Sequence, residues 1–128
     1  MNYLDAKAQC ESDGAYLAIP RSDAENAFIA SLIPKENIWI GINDIDEEGT
    51  FKAVDGGDVS YTKWLRGAIQ NDGTMRNEPD NWRGNEDGVV ILSGYPDAWN
   101  GFWGDGPITN QYKFVCMYNI KFDYSGKF

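Results

Sequence analysis

Two cysteines, Cys10 and Cys116, stand near opposite ends of a 128-residue chain. As buried thiols they would suit a cytosolic protein. Their placement favours a disulfide that closes almost the whole chain, which implies an oxidising compartment. In the chain-entropy picture a loop of that length stabilises by about 4–5 kcal/mol. Such a closure leaves room for one core, and the length is that of one domain, residues 1–128.

Inside that loop the elements change character. Asn2 to Gly14 reads as a short helix with Leu4, Ala8 and Cys10 inward, Asp5 in its first turn and Gly14 at its C-terminus. Tyr16 to Pro20 is an extended link. Ser22 and Glu25 have capping-box spacing and open a second helix whose apolar stripe is Ala24, Phe28, Ile29 and Leu32. From Asn37 the residues favour strands: Ile38 to Ile42, then Thr50 to Val54 before the Asp55-Gly56-Gly57-Asp58 turn. Ser60 to Trp82 has little periodicity and reads as a long structured loop, of the kind that tends to carry function. Val89 to Leu92 is a buried-strand candidate, a second Gly/Pro/Asp-rich loop follows, and Tyr112 to Tyr118 alternates as a strand. There is no internal repeat.

The net charge is −9, with no basic stripe, so a phosphate backbone is repelled and nucleic acid is excluded as a partner. Anionic membrane surfaces are disfavoured for the same reason, and no apolar run approaches the length of a membrane span. Bound cations would offset part of the charge. The stretch from Glu78 to Asp105 offers what such cations need: Glu78-Pro79-Asp80-Asn81, Glu86-Asp87 and Trp103-Gly104-Asp105. Hard oxygen donors in a chain without histidine point to Ca²⁺ rather than zinc or copper. A cis peptide at Pro79 would turn Glu78 and Asp80 toward one centre. Without that, the same acids read as a solvated loop.

Taken in order, these pieces resemble a C-type lectin-like domain over nearly the whole chain. The resemblance rests on Tyr3 to Cys10, Ala15 to Ile19, Trp39-Ile40-Gly41-Ile42, Glu48-Gly49-Thr50-Phe51 and Val54-Asp55-Gly56. It continues through Tyr61-Thr62-Lys63-Trp64, Glu78 to Asn81, Glu86-Asp87, Trp103-Gly104-Asp105 and Phe114-Val115-Cys116. It implies an α+β fold, two helices with antiparallel strands and a long Ca²⁺-binding loop region, and it pairs Cys10 with Cys116. It further implies one or two Ca²⁺ ions. One would be held by Glu78, Asp80, Glu86 and Asp105. A second would be held by Asp44, Glu48 and Asp87, with Glu86 shared and Asn81 nearby. The implied function is Ca²⁺-dependent glycan binding at Glu78, Asp80, Glu86, Asn100 and Asp105, mannose- or galactose-type, in an extracellular or cell-surface setting. An export signal is then expected to have been removed or to lie in a longer parent chain.

Three departures from the family pattern matter. Both cysteines of a second disulfide are replaced, by Gly88 and Ile108. The Trp-Asn-Asp asparagine is Gly104, with Trp99-Asn100 in a preceding insertion, so that Asn100 is a candidate for the vacant position. The Glu-Pro-Asp triplet is a hybrid of the mannose-type and galactose-type motifs. Glu78 and Asp80 only accept hydrogen bonds and Gly104 has no amide, so unless Asn100 or Asn81 supplies a donor a sugar hydroxyl goes unmatched, at a cost of about 1–3 kcal/mol per group. The alternative is therefore a module that binds a protein or other non-sugar ligand, its aromatics serving the contact and its calcium purely structural. Catalysis is not expected. The Glu78/Glu86 pair has the character of glycosidase carboxylates, yet the resemblance gives both to a metal and the chain has no histidine base. Among Trp64, Trp82, Trp99 and Trp103, at least two are expected in the core. At the far end, alternating Ile120, Phe122 and Tyr124 predict a strand beside Val115 to Met117, with residues 119–128 replacing the family's first strand, in cis or swapped in a homodimer.

Overall fold

The computed structural model describes residues 1–66, 68–69, 75–76, 78–79, 87–93 and 100–118. Helix α1 spans Tyr3–Ser12, strand β1 Tyr16–Leu17, helix α2 Asp23–Leu32 and strand β2 Ile38–Asn43. Then come β3 Lys52–Ala53, β4 Ala68–Ile69, β5 Met75–Arg76, β6 Gly88–Ile91, β7 Trp103–Gly106, β8 Lys113–Phe114 and β9 Cys116–Met117. The expected α+β arrangement of two helices against mostly antiparallel strands is what forms. The strand expected from Ile120 to Tyr124 lies outside the described residues.

Both helices start and stop where side chains satisfy their loose ends. The Asn2 side chain accepts the Asp5 N–H at 2.9 Å, and Gly14, at φ +76°, lets the chain leave α1 with its N–H on the Glu11 carbonyl. Ser22 Oγ accepts the Glu25 N–H at 3.1 Å, the capping box read from the sequence.

The inner faces differ from expectation. On α1 the buried residues are Tyr3, Ala6 and Cys10, whereas Leu4 and Ala8 are exposed. On α2, Phe28 is 64% exposed and Leu32 50%, so the predicted stripe is wrong apart from Ile29. The inward row is Asn26, Ile29, Ala30 and Ile33, at helical spacing, and it is masked in the sequence by its polar member. Asn26 is buried because both ends of its amide are used. Its Nδ2 donates to the Gly101 carbonyl and its Oδ1 accepts the Trp103 indole N–H, each at 2.7 Å.

The main sheet runs β3-β2-β6-β7, with β8 alongside β2 in parallel; β1 pairs separately with β9. The alternating run ending at Tyr118 is thus two short strands, not one. It changes partner at Val115, whose carbonyl takes the Ala18 N–H at 2.8 Å. The long loop after Ser60 holds a hairpin, β4 against β5, and the Gly-rich segment at 103–106 is a strand rather than a loop. The Thr50 to Val54 strand shrinks to β3. Two packed clusters fill the interior, one around Ile29, Ile40, Val89 and Trp103, the other around Tyr3, Trp39 and Val90. Of the tryptophans in question, Trp103 is fully buried and Trp64 half-buried against it, their rings 5.6 Å apart; Trp82 and Trp99 lie outside the described residues. Cys10 and Cys116 form the disulfide, Cα to Cα 5.5 Å.

The missing second disulfide has a steric counterpart. Gly88 faces Gly106 across β6 and β7, and a Cβ at Gly88 would lie 2.7 Å from the Trp39 ring and 3.0 Å from Tyr3. The space is occupied by an edge-to-face stack, with Trp39 5.1 Å from Tyr3 and 4.8 Å from Tyr112.

Candidate metal and ligand site

The register of β2 on β6 slips between Ile40 and Asn43. Gly41, inside the slip, sends its N–H to the Ala18 carbonyl and takes the Val54 N–H. The irregularity re-aims the end of β2 so that Asp44 N–H donates to the Asp87 carbonyl at 3.1 Å. The entry to the acidic loop is fixed by Asn43. Its Nδ2 donates to the buried Tyr3 hydroxyl (3.2 Å) and its Oδ1 accepts the Ile45 N–H (3.1 Å).

The carboxylates of Asp44, Glu48 and Asp87 come within 4.8 Å of one another. Asp44 is 2% exposed; its Oδ2 accepts the Gly49 N–H at 2.9 Å, and its Oδ1 is buried with no hydrogen-bond partner. Burial, with the Glu48 carboxylate beside it, pushes the Asp44 carboxyl up to about 6. Burial and then the charge of Asp44 raise Asp87 as well, and Asp105 adds to the same direction. An orphaned buried oxygen among three mutually repelling carboxylates is what a hard divalent cation relieves, so this donor set fits Ca²⁺.

Asp105 on β7 contributes to that field from the second acidic group. Glu78 is fully buried and Asp105 is 3% exposed; Asp105 N–H donates to Glu78 Oε2 at 3.3 Å. The Glu78–Pro79 peptide is cis. The Glu78 N–H is held by the Leu65 carbonyl at 2.7 Å, and Leu65 N–H in turn by Trp103. The loop and β7 are therefore tied together beside the first cluster. Asp80, Asn81 and Glu86 lie outside the described residues. Asn100 is exposed in the turn that precedes β7, five residues along the chain from Asp105 and at the other end of the β6–β7 hairpin. Gly104 pairs with Val90 within the strand ladder.

Sequence reasoning did not reach Asn26, Asn43 or the bulge at Gly41, which together aim the two acidic groups. The Asn43-Asp44 pair is turn-prone, the local signal by which the end of β2 could be found.

Comparison with known proteins matches residues 1–118 to the family model described as Lectin C-type domain. The chain is 35% identical over 122 residues to lectin BRA-3 of Megabalanus rosa, covering 94% of this chain and 67% of that protein. It is 35% identical over 121 residues to collectin-10 of Xenopus tropicalis, covering 91% of this chain but only 38% of the relative. Among solved structures, the carbohydrate-recognition domain of cow CD23, determined in the presence of a GlcNAc2Man3 oligosaccharide, superposes with a TM-score of 0.74 at 26% identity. That match covers 91% of this chain and 78% of that one.

Proposed function

Because the chain belongs to the C-type lectin domain family, we propose that it is a Ca²⁺-dependent carbohydrate-binding domain rather than an enzyme. The observation that carries the reading is the buried, partnerless Asp44 Oδ1 facing Glu48 and Asp87, with buried Asp105 acting on Asp87 and accompanied by buried Glu78. Asp44, Glu48 and Asp87 would hold one ion, with Asn81 and Glu86 completing the loop around it. Glu78, Asp80, Glu86 and Asp105 would hold the other. A bound Ca²⁺ supplies a Lewis-acidic centre for the lone pairs of vicinal sugar hydroxyls. The carboxylates would accept hydrogen bonds from the hydroxyls, and the amide donor would be Asn81, or an Asn100 reaching back from the far end of the hairpin.

Gly104 favours a second reading. It lies in the β7 ladder without an amide side chain, so the site is short of donors, as a module with structural calcium and a protein ligand would be. In either case the disulfide accords with an extracellular or cell-surface setting. A glycan array run with Ca²⁺ and with chelator separates the two. Chelator-sensitive glycan signals support the lectin reading, and a blank array from a protein whose melting temperature still rises with Ca²⁺ supports the other.

A further inference from the structure

The end of β2 away from the acidic groups opens into a cavity of about 460 Å³, lined by Lys35, Glu36, Asn37, Ser93, Gln111, Tyr112 and Lys113, with Met1 at one side. That volume is in the range of small-ligand sites. Asp44 lies seven steps along the chain from Asn37, which at strand spacing is about 23 Å. The cavity is therefore distinct from the proposed calcium region.

Its chemistry is the reverse of the rest of the molecule. In a chain of net charge −9 it gathers, among the described residues, Lys35 and Lys113 against Glu36. Neither lysine has an ion pair among the described residues. The polar groups between them have their acceptor sides engaged. Ser93 Oγ accepts the Lys35 N–H at 3.1 Å and Asn37 Oδ1 accepts the Ser93 N–H at 3.1 Å. That leaves the Asn37 amide protons and the Ser93 hydroxyl proton, neither of which meets an acceptor among the described residues. Two ammonium groups and a set of spare donors call for an oxyanion. The backbone adds an independent sign. Lys35 is the one non-glycine described residue at positive φ, +66°, a conformation that costs a lysine on the order of 1 kcal/mol and is held here by the bond to Ser93.

We propose that this cavity binds an oxyanion independently of calcium and, resting on the carbohydrate-binding reading above, that the anion is the carboxylate or sulfate group of an acidic saccharide. Lys35 and Lys113 supply the charge, and Asn37 and Ser93 the directed donors.

The test uses the whole chain in chelator, so its outcome does not depend on the calcium site. Sodium glucuronate, sodium sulfate and neutral glucose are titrated while amide resonances are followed by NMR. The expected result is saturable shifts at Lys35, Asn37, Ser93 and Lys113 with roughly millimolar affinity for glucuronate, weaker for sulfate and absent for glucose. Binding should fade as salt rises and be indifferent to added Ca²⁺. The double variant Lys35→Gln/Lys113→Gln, with an unchanged melting temperature, should bind glucuronate about tenfold more weakly. Ser93→Ala provides a second, uncharged loss of a donor and should also weaken binding. Absence of saturation with either anion, or unchanged affinity in the double variant, overturns the proposal. Equal affinity for sulfate and glucuronate overturns its saccharide part.

Discussion

The main-chain N–H of Asp44 donates to the carbonyl of Asp87 at 3.1 Å, so the acidic residues just after β2 and just before β6 are held together by backbone rather than by choice of rotamer. Repulsion between them is built into the metal-free fold. A ligand that binds only the native state at a thousandfold excess over its Kd adds about 4 kcal/mol, and a domain of this size gains roughly 3–5 °C in Tm per kcal/mol. Millimolar Ca²⁺ at a site of about micromolar Kd is therefore expected to raise Tm by roughly 12–20 °C relative to chelator on that scale. Asp44→Ala should lose much of the gain while Glu78→Ala affects the second group. Scanning calorimetry with and without chelator reads this, and identical melting curves for the parent protein would end the calcium reading.

The same cluster gives a pH dependence with a definite sign. Asp44 is raised to about 6 in the folded chain and Asp87 is raised in the same direction. A carboxyl whose folded pKa exceeds its unfolded value contributes stability that is complete below the unfolded pKa. That contribution is lost as pH rises through the folded value. Metal-free protein should thus lose on the order of 2 kcal/mol from this cluster between pH 4 and pH 7. Asp44→Asn should flatten that part of the profile. Urea melts of both proteins in chelator measure the difference, and parallel profiles would show that Asp44 does not titrate there.

Gly88 tests the aromatic stack where the second disulfide is missing. An added Cβ meets Trp39 at 2.7 Å, and Trp39 is fully buried with its indole N–H on the Met1 carbonyl. Gly88→Ala is expected to cost about 1–3 kcal/mol through overpacking. The loss should be the same with Ca²⁺ and with chelator if it arises in the stack rather than at the neighbouring Asp87. Thermal melts under both conditions decide it; a loss confined to the Ca²⁺ condition would place the effect at the metal.

How far the sequence was legible follows the range of the interactions. Helix ends were readable because Asn2, Gly14, Ser22 and Glu25 act within a few residues. Strand β2 was readable from its unbroken apolar run. The inner face of α2 was not, because Asn26 is buried by partners 75 and 77 residues away. Strand β7, Trp-Gly-Asp-Gly, has little strand propensity of its own and forms through its ladder with β6. The acids at 44, 48 and 87 could be grouped only by family resemblance. The β2 slip that brings Asp44 to Asp87 is a tertiary event with no local signature.

The bond from Trp103 Nε1 to Asn26 Oδ1, 2.7 Å and buried, joins helix α2 to the strand that carries Asp105 two residues on. Asn26→Ala removes it and also strips the Gly101 carbonyl of its donor. With about 1–3 kcal/mol for each buried group left unmatched, a loss of roughly 2–5 kcal/mol is expected. Trp103→Phe removes the same indole donor and opens a small cavity, so its cost is part hydrogen bond and part packing. Once the indole is gone, Asn26→Ala can only expose Gly101, and the two losses should not add. The expected coupling in a double-mutant cycle is about 1–2 kcal/mol. Calcium titration of Asn26→Ala supplies the functional half of the test. A strand freed from α2 holds Asp105 less firmly against Glu78, so the midpoint should shift to higher Ca²⁺. Additive stabilities together with an unshifted midpoint would reduce Asn26 to a spectator of the site.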